Sequence, residues 1–351
     1  VDRIDVAVIG GGQSGLVAAH ALRGQGLQPV VLEASERSAG SWPRYYDSLT
    51  LFSPAGYSSL PGMPFGGDPE RYPHRDEVVA YLLRYAERLD ADIRTGIRVR
   101  EVRAADGDFT LTLEGGGGLS ARAVVAASGT FGRPHRPALP GLEGFAGSVL
   151  HAAEYRTPQP FAGERVVIVG AGNSAVQIAA ELATHAHVTL AARHPVRFAR
   201  QHTLGRDLHW WLIHTGVDTL PIGRFLRTPP SQLVIDDGRY RAAVAAGAPD
   251  RRSVFTGADG TKVTWEDGST EEVDTILLAT GYRPDLGYLA SLGALDEHGH
   301  PRHREGLSLT HPGLAYVGLE WQRSLSSNSL RGVGRDAARV ARRLAARLRG
   351  H

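Results

Sequence analysis

Cysteine is absent from this 351-residue chain, which excludes disulfide staples, thiolate metal centres and any redox dithiol. Long apolar runs are missing as well, none reaching the roughly 20 residues that a membrane helix needs. The first residues, Val1-Asp2-Arg3-Ile4-Asp5, enter an apolar strand at once and lack the layout of a secretory signal. A soluble cytoplasmic protein without integral membrane association is expected. Net charge is scarce, +2 from Lys+Arg 39 against Asp+Glu 37, and points to no nucleic-acid surface. The 15 histidines are scattered without ligand spacing, so no metal site is expected. What is present is an ordinary globular composition, 42% hydrophobic and 22% charged, long enough for about two domains.

Glycine organises the rest. Ile4 to Ile9 is a short apolar run of the kind a doubly buried parallel strand shows, and it ends in Gly10-Gly11-Gly12-Gln13-Ser14-Gly15. A helix is predicted over Leu16 to Arg23, closing at Gly24-Gln25-Gly26, and a second strand over Pro29 to Glu33. In this βαβ unit Gly10 permits the tight turn, Gly12 lets a pyrophosphate approach the backbone, and Gly15 lets the helix pack closely on the strand. The amides of Gln13 and Ser14 open the helix toward the phosphates. Glu33 stands 23 positions after Gly10, where a carboxylate accepts from a ribose 2′-hydroxyl and repels a 2′-phosphate.

The pattern returns at Arg165 to Val169, followed by Gly170-Ala171-Gly172-Asn173-Ser174-Ala175, a helix through Leu182 and a strand from His187 to Ala191. Ala175 replaces the third glycine. Arg193 again stands 23 positions after the first glycine, now with the opposite charge. A guanidinium there suits the 2′-phosphate of NADP, or else is an exposed surface arginine, and adjacent His194 is compatible with NADH as well. FAD is therefore assigned to the first unit and NADPH to the second.

Between and beyond the units, Ala121 to Ala127 runs into Ser128-Gly129, and Val273 to Ala279 into Thr280-Gly281. These strand-then-glycine crossings mark where the chain passes between an FAD domain, residues 1–156 and 285–351, and an inserted NAD(P)H domain, residues 157–284. The expected fold is α/β, two Rossmann-like dinucleotide-binding domains with one inserted in the other. Leu314 to Gly318 reads as a further buried strand and Asn328 to Arg349 as a terminal helix with a basic solvated face. Asn328 and Ser329, near its start, offer amides to the flavin's pyrimidine edge. Val99 is counted with the cofactor-binding positions. The segment around 197–250, with the run Leu208-His209-Trp210-Trp211-Leu212-Ile213, fits neither unit and is either a packing layer or a lid over substrate.

With these residues in place the chain resembles the class B flavoprotein monooxygenases, the group of flavin-containing monooxygenases and Baeyer–Villiger enzymes, and in particular its small bacterial members. The identifying pattern is complete as Phe145-x-Gly147-x-x-x-His151-x-x-x-Tyr155, between the two glycine motifs. Gly40-Ser41-Trp42 and Ala279-Thr280-Gly281 are similar too, and Ser41 and Trp42 join the cofactor-binding residues on that ground. The resemblance implies that NADPH reduces FAD, that oxygen adds to the flavin as a C4a-(hydro)peroxide, and that a small sulfur or nitrogen nucleophile or a ketone receives one oxygen atom. It also implies that His151 and Tyr155 hold the linker and NADP geometry at the catalytic centre. One position departs: where relatives carry Asn-x-Pro, this chain has Phe52-Ser53-Pro54. Ser53 either supplies a hydroxyl to the flavin or caps the turn before Pro54. The alternatives are an NAD(P)H oxidase or reductase without oxygen insertion, and a redox flavoprotein regulating cation transport. A disulfide reductase has no thiol pair to work with here. A monomer or homodimer is expected, with small-molecule substrate and O2 as partners.

Overall fold

The computed structural model describes residues 2–226 and 233–350, so 227–232 of the expected insertion lie outside the described residues. The first strand, Asp2–Ile9, pairs in parallel with Pro29–Leu32 on one side and Gly118–Ala126 on the other. Its apolar run is continuous because both faces are covered. Val6 and Val8 join a core with the helix Gln13–Arg23, while Ala7 and Ile9 join a second core behind the sheet. Leu314–Tyr316 lies beside Gly118–Ala126, and Asp92–Arg94 beside Pro29–Leu32.

The terminal helix spans Val333–Arg349 and lies against Gln13–Arg23. Val333, Ala337, Val340, Ala341, Leu344 and Leu348 are its buried face, three and four residues apart, and the arginines take the other positions. It starts later than the expected Asn328 for a local reason. The serine hydroxyls that could cap a helix at 328 are used elsewhere: Ser327 Oγ accepts from the amides of Arg323 and Ser324, and Ser326 Oγ donates to the Asp218 carbonyl. A Cβ at Gly332 would lie 2.1 Å from the Ser326 carbonyl oxygen, so the chain closes into turns before the helix can begin.

The second sheet is wholly parallel, in the order Asp250–Arg252, His187–Ala191, Arg165–Val169, Thr275–Leu278, Ser148–His151. Its last strand comes from the stretch before residue 156. Ser148–His151 falls inside the stretch assigned to the first domain, yet it pairs with Thr275–Leu278 because Gly147 lets the backbone close on Asp274, where a Cβ would meet the carbonyl oxygen at 2.5 Å. The two crossings pair with each other as a short antiparallel ribbon, Arg133–Pro134 against Tyr282–Arg283. In the insertion, Phe198–Arg200 pairs in parallel with Val234–Asp236, and a short helix, Leu208–His214, lies between them in sequence. Among the described residues no helix is long and apolar enough to cross a membrane.

Candidate functional site

At the end of the first strand Gly10 takes φ +105° and its amide donates to the Leu32 carbonyl at 2.8 Å. A Cβ at Gly10 would lie 2.6 Å from the Ala127 carbonyl oxygen, and one at Gly15 only 1.7 Å from that of Gly10. Gly12 faces Gly40, with a Cβ at Gly40 2.9 Å from the Gly12 Cα. Two bare backbones thus meet over the start of a helix that no side chain caps, leaving its first amides open to an anion. Sequence reasoning missed a further member. Gly318, at φ +89°, is the only residue type that fits against Ser14, whose Oγ would lie 1.9 Å from a Cβ there. Glu33 is buried at the strand end and accepts from the Gly11 amide at 2.5 Å and from the Ser35 amide at 2.8 Å. That leaves carboxylate lone pairs for a ribose hydroxyl.

These groups open into one cavity of about 1140 Å³, larger than the roughly 300–1,000 Å³ typical of a single-ligand pocket. Gly10, Gly12, Gln13, Ser14, Glu33, Ser41, Trp42 and Val99 line it from the first half of the chain, and Ser128, Gly129, Asn328 and Ser329 from the crossing and the C-terminal turn. Gln13 ties these segments together: its Nε2 donates to the Asn328 carbonyl at 2.7 Å and its Oε1 accepts from Trp42 Nε1 at 3.0 Å. Ser41 Oγ pairs with Tyr45 OH at 2.9 Å, and Ser128 Oγ with Tyr288 OH at 3.0 Å.

The second cradle stands largely outside that cavity. Gly170 repeats the turn at φ +149°, with a Cβ there 2.4 Å from the Ala279 carbonyl oxygen, while Ala175 is buried and Gly172 has no atom within 4 Å of where a Cβ would be. Ser174 lines the cavity. Asn173 lines it too, but its side chain holds the insertion, donating to the Leu233 carbonyl at 3.3 Å and accepting from the Ile235 amide at 3.1 Å. Arg193 and His194 are exposed just beyond the strand His187–Ala191. Nearby, His135 is held toward its neutral form by burial and then by Arg283, Arg193 and Arg133. That positive field is the right sign for a phosphorylated ribose. Thr280 Oγ1 donates to the His135 carbonyl at 2.5 Å, and the Gly281 carbonyl accepts from the His135 amide at 2.9 Å.

The three residues placed at the catalytic centre sit differently. His151 is fully buried and outside the cavity lining; its Nδ1 accepts from the Ala153 amide at 3.1 Å, so Nε2 carries the hydrogen and donates to the Gly281 carbonyl at 3.0 Å. Burial favours the neutral ring, with both nitrogens committed. Tyr155 is also buried outside the lining and donates to Glu181 at 2.8 Å, with burial and that carboxylate pushing its pKa up. Each therefore fixes a backbone crossing or a helix. Ser53 does line the cavity. Its Oγ lies 2.9 Å from Ser58 Oγ, which itself lies 2.9 Å from the Pro54 carbonyl oxygen. If Ser58 gives its proton to that carbonyl, Ser53 gives its own to Ser58 and keeps only acceptor capacity toward the cavity.

The insertion forms one wall. Leu208, His209, Leu212, Leu233 and Ile235 line the cavity, and of the run 208–213 only His209 is buried. The segment therefore contributes part of the chamber wall, while its Phe198, Val234 and Tyr240 pack against the core of the second sheet. The periodicity carried no sign of this, since a helix of seven residues has too few turns to display one face. Trp321, at φ +53°, also lines the chamber.

The sequence pattern of the pyridine nucleotide-disulphide oxidoreductases matches residues 7–214. The flavin-containing monooxygenase from Stenotrophomonas maltophilia superposes with a TM-score of 0.87 at 35% identity, covering 99% of each chain. The chain belongs to this family, and within it to the class B flavoprotein monooxygenases. The chain is also similar to an uncharacterized CzcO-like oxidoreductase of Geobacillus kaustophilus, 31% identical over 95% of this chain and 96% of that protein. Indole-3-pyruvate monooxygenase YUCCA1 of Oryza sativa subsp. japonica is 32% identical over 86% of this chain and 81% of its own length. As a class B flavoprotein monooxygenase the chain is an oxidoreductase that uses FAD and NADPH. The residues present fit both: the first cradle has a bare backbone for a pyrophosphate and a buried carboxylate for a ribose, and the second has an exposed guanidinium in a positive field. The family is named for disulphide chemistry, but with no cysteine in the chain that branch is closed to this member.

Proposed function

We propose that this flavin-dependent monooxygenase transfers one oxygen atom of O2 to a small sulfur or nitrogen nucleophile, or to a ketone, inside the chamber between the first glycine cradle and the insertion. The observation that carries this reading is the continuity of that chamber. Gly10, Glu33 and Trp42 of the cofactor cradle and Leu208, Leu212 and Leu233 of the insertion line the same cavity. An apolar substrate can therefore lie against the flavin under a wall that limits water, which is what oxygen transfer without hydrolysis or leakage needs. Bound FAD supplies hydride acceptance and the activation of O2; the chain orients and shields. The residues assigned to the two cradles bind the dinucleotides, Ser128 and Gly129 with Thr280 and Gly281 set the crossings, and His151 and Tyr155 act as positioning residues. The two domains divide at the ribbon of Arg133–Pro134 and Tyr282–Arg283.

The test is product analysis under 18O2 with NADPH, using a thioether, a tertiary amine and a strained cyclic ketone. One labelled oxygen in any product is expected. The oxidase reading is favoured by one observation, the commitment of the Ser53 hydroxyl to Ser58; unlabelled substrate with full conversion of O2 to hydrogen peroxide would establish it.

Cofactor choice gives a second expectation. A charge-assisted contact contributes about 1.5–3 kcal/mol, so Arg193→Ala should raise KM for NADPH roughly ten- to a hundredfold while changing that for NADH by about twofold or less. Equal effects on the two would remove Arg193 from the phosphate site.

A further inference from the structure

The insertion holds the only histidine–carboxylate pair among the described residues with both members buried: His209 Nδ1 lies 2.8 Å from Asp207 Oδ1, with side-chain exposures of 1% and 7%. Asp207 Oδ1 also accepts from the His209 amide at 2.7 Å, and Oδ2 accepts from Tyr72 OH at 2.7 Å and from Gln201 Nε2. Burial alone would favour the neutral acid, but these donors hold the carboxyl down at about 2. An ionised carboxylate has no proton to give, so Nδ1 carries a hydrogen, and in the neutral ring this tautomer leaves the lone pair on Nε2. Among the described residues Nε2 has no partner, while His209 lines the cavity. Phe52 stacks on the ring at 6.1 Å, and Gln201 donates to the Phe52 carbonyl at 3.0 Å, so the imidazole is fixed from two sides. Tyr72, Tyr57, His202 and Arg206 are the other titratable or charged groups around Asp207. Phe52, which stacks on His209, and Leu208, Leu212 and Leu233 are apolar members of the same cavity lining.

A buried acid fixing the tautomer of an imidazole that belongs to the wall of a chamber is the arrangement that makes histidine a base. We propose that His209 is a proton-accepting residue of the substrate site, with Asp207 as its positioning residue, and that it adapts the chamber to apolar amines. The inference rests on the monooxygenase reading for its consequence, not for its test. An ammonium bound against Nε2 loses one proton: an N–H bond breaks, its electron pair stays on the amine nitrogen, and an Nε2–H bond forms. The imidazolium is balanced by Asp207, and the amine now has the lone pair that N-oxygenation requires. A thioether has its lone pair at any pH and needs no such base.

The experiment is calorimetric titration of the FAD-loaded protein with N,N-dimethylbenzylamine and with benzyl methyl sulfide, in two buffers of different ionisation enthalpy, at a pH about one unit below the amine's own pKa. The wild type should bind the amine with almost no proton released to buffer, because the proton stays on His209. His209→Gln should bind it roughly tenfold more weakly with most of a proton released, and should bind the sulfide within about twofold of wild type. Asp207→Asn, which alters no side chain lining the cavity, should repeat the pattern and guard against a local disturbance by glutamine. With turnover, the ratio of kcat/KM for amine over sulfide should fall about tenfold in both variants. Equal weakening of both ligands in both variants, or an unchanged proton count, overturns the proposal. Because binding is read without turnover, an enzyme that shows the proton signature but forms no N-oxide refutes the monooxygenase reading and leaves the base in place.

Discussion

Gly15→Ala is expected to yield a protein that purifies almost without flavin. The added Cβ would sit 1.7 Å from the Gly10 carbonyl oxygen and 2.9 Å from its carbon, while contacts under 3.0 Å essentially never occur for a real Cβ. Both obstacles are backbone, so no rotamer change relieves them. The helix Gln13–Arg23 must move off its strand by more than about 1 Å, and its first amides move with it, away from where the pyrophosphate lies. Displacements of that size in a binding geometry typically reduce function on the order of a hundredfold, and overpacking adds about 1–3 kcal/mol of instability. The measurement is visible flavin absorbance relative to protein absorbance after purification and after incubation with excess FAD. Gly172→Ala is the matched control. Gly172 has no atom within 4 Å of a Cβ position and a φ of −88° that alanine accepts, so this variant should stay fully yellow and lose only nicotinamide-driven reduction. A yellow Gly15→Ala protein with normal FAD stoichiometry would contradict the close-packing account of the first cradle.

The contrast between these glycines explains what could be read in the chain beforehand. Gly10, Gly15 and Gly170 are dictated by backbone collisions that any βαβ phosphate cradle must avoid, and so they are legible from spacing alone. The pattern from Phe145 to Tyr155 was legible as a resemblance, and the structure gives its physical content: Phe145 is buried beside Gly147, Gly147 admits the Asp274 backbone, His151 fastens the Gly281 crossing, and Tyr155 reaches Glu181. The last three are architectural contacts between segments separated in sequence. Their placement at the reacting centre could not be judged without the third dimension. Gly318 was missed because its requirement comes from Ser14, some 300 residues away, and leaves no local trace. The Asp207–His209 pair was missed for the opposite reason. Its residues are two apart, but a seven-residue helix in an irregular segment offers neither period nor motif, and the pairing depends on Tyr72 and Gln201 to hold the carboxylate. The expected helix start at Asn328 failed because serine hydroxyls can satisfy turns as well as caps, and only tertiary contact decides between the two.

Asp218→Ala should be the most destabilising substitution in the insertion. Asp218 is fully buried and accepts from Arg331 Nε at 3.0 Å and Nη2 at 2.8 Å, with Arg335 at 3.7 Å from its other oxygen. Its carbonyl also takes the Ser326 hydroxyl at 2.9 Å. These bonds fasten the insertion to the turn before the terminal helix, and Arg331 itself lines the cavity. Removing the carboxylate leaves Arg331, 11% exposed, without its counter-charge. Breaking one side of such a pair costs about 3–5 kcal/mol, most of it from the orphaned charge. The expected result is a large fall in the urea midpoint and, at lower urea, flavin more open to a soluble quencher as the insertion loosens. The double variant Asp218→Ala, Arg331→Leu should recover part of the midpoint, because no buried charge is then unpaired. It should not recover flavin protection, because the fastening between the two segments is still absent. A double variant as unstable as the single one would mean that Asp218 holds the turn through its backbone and packing, and that the ion pair contributes little to keeping the chamber covered.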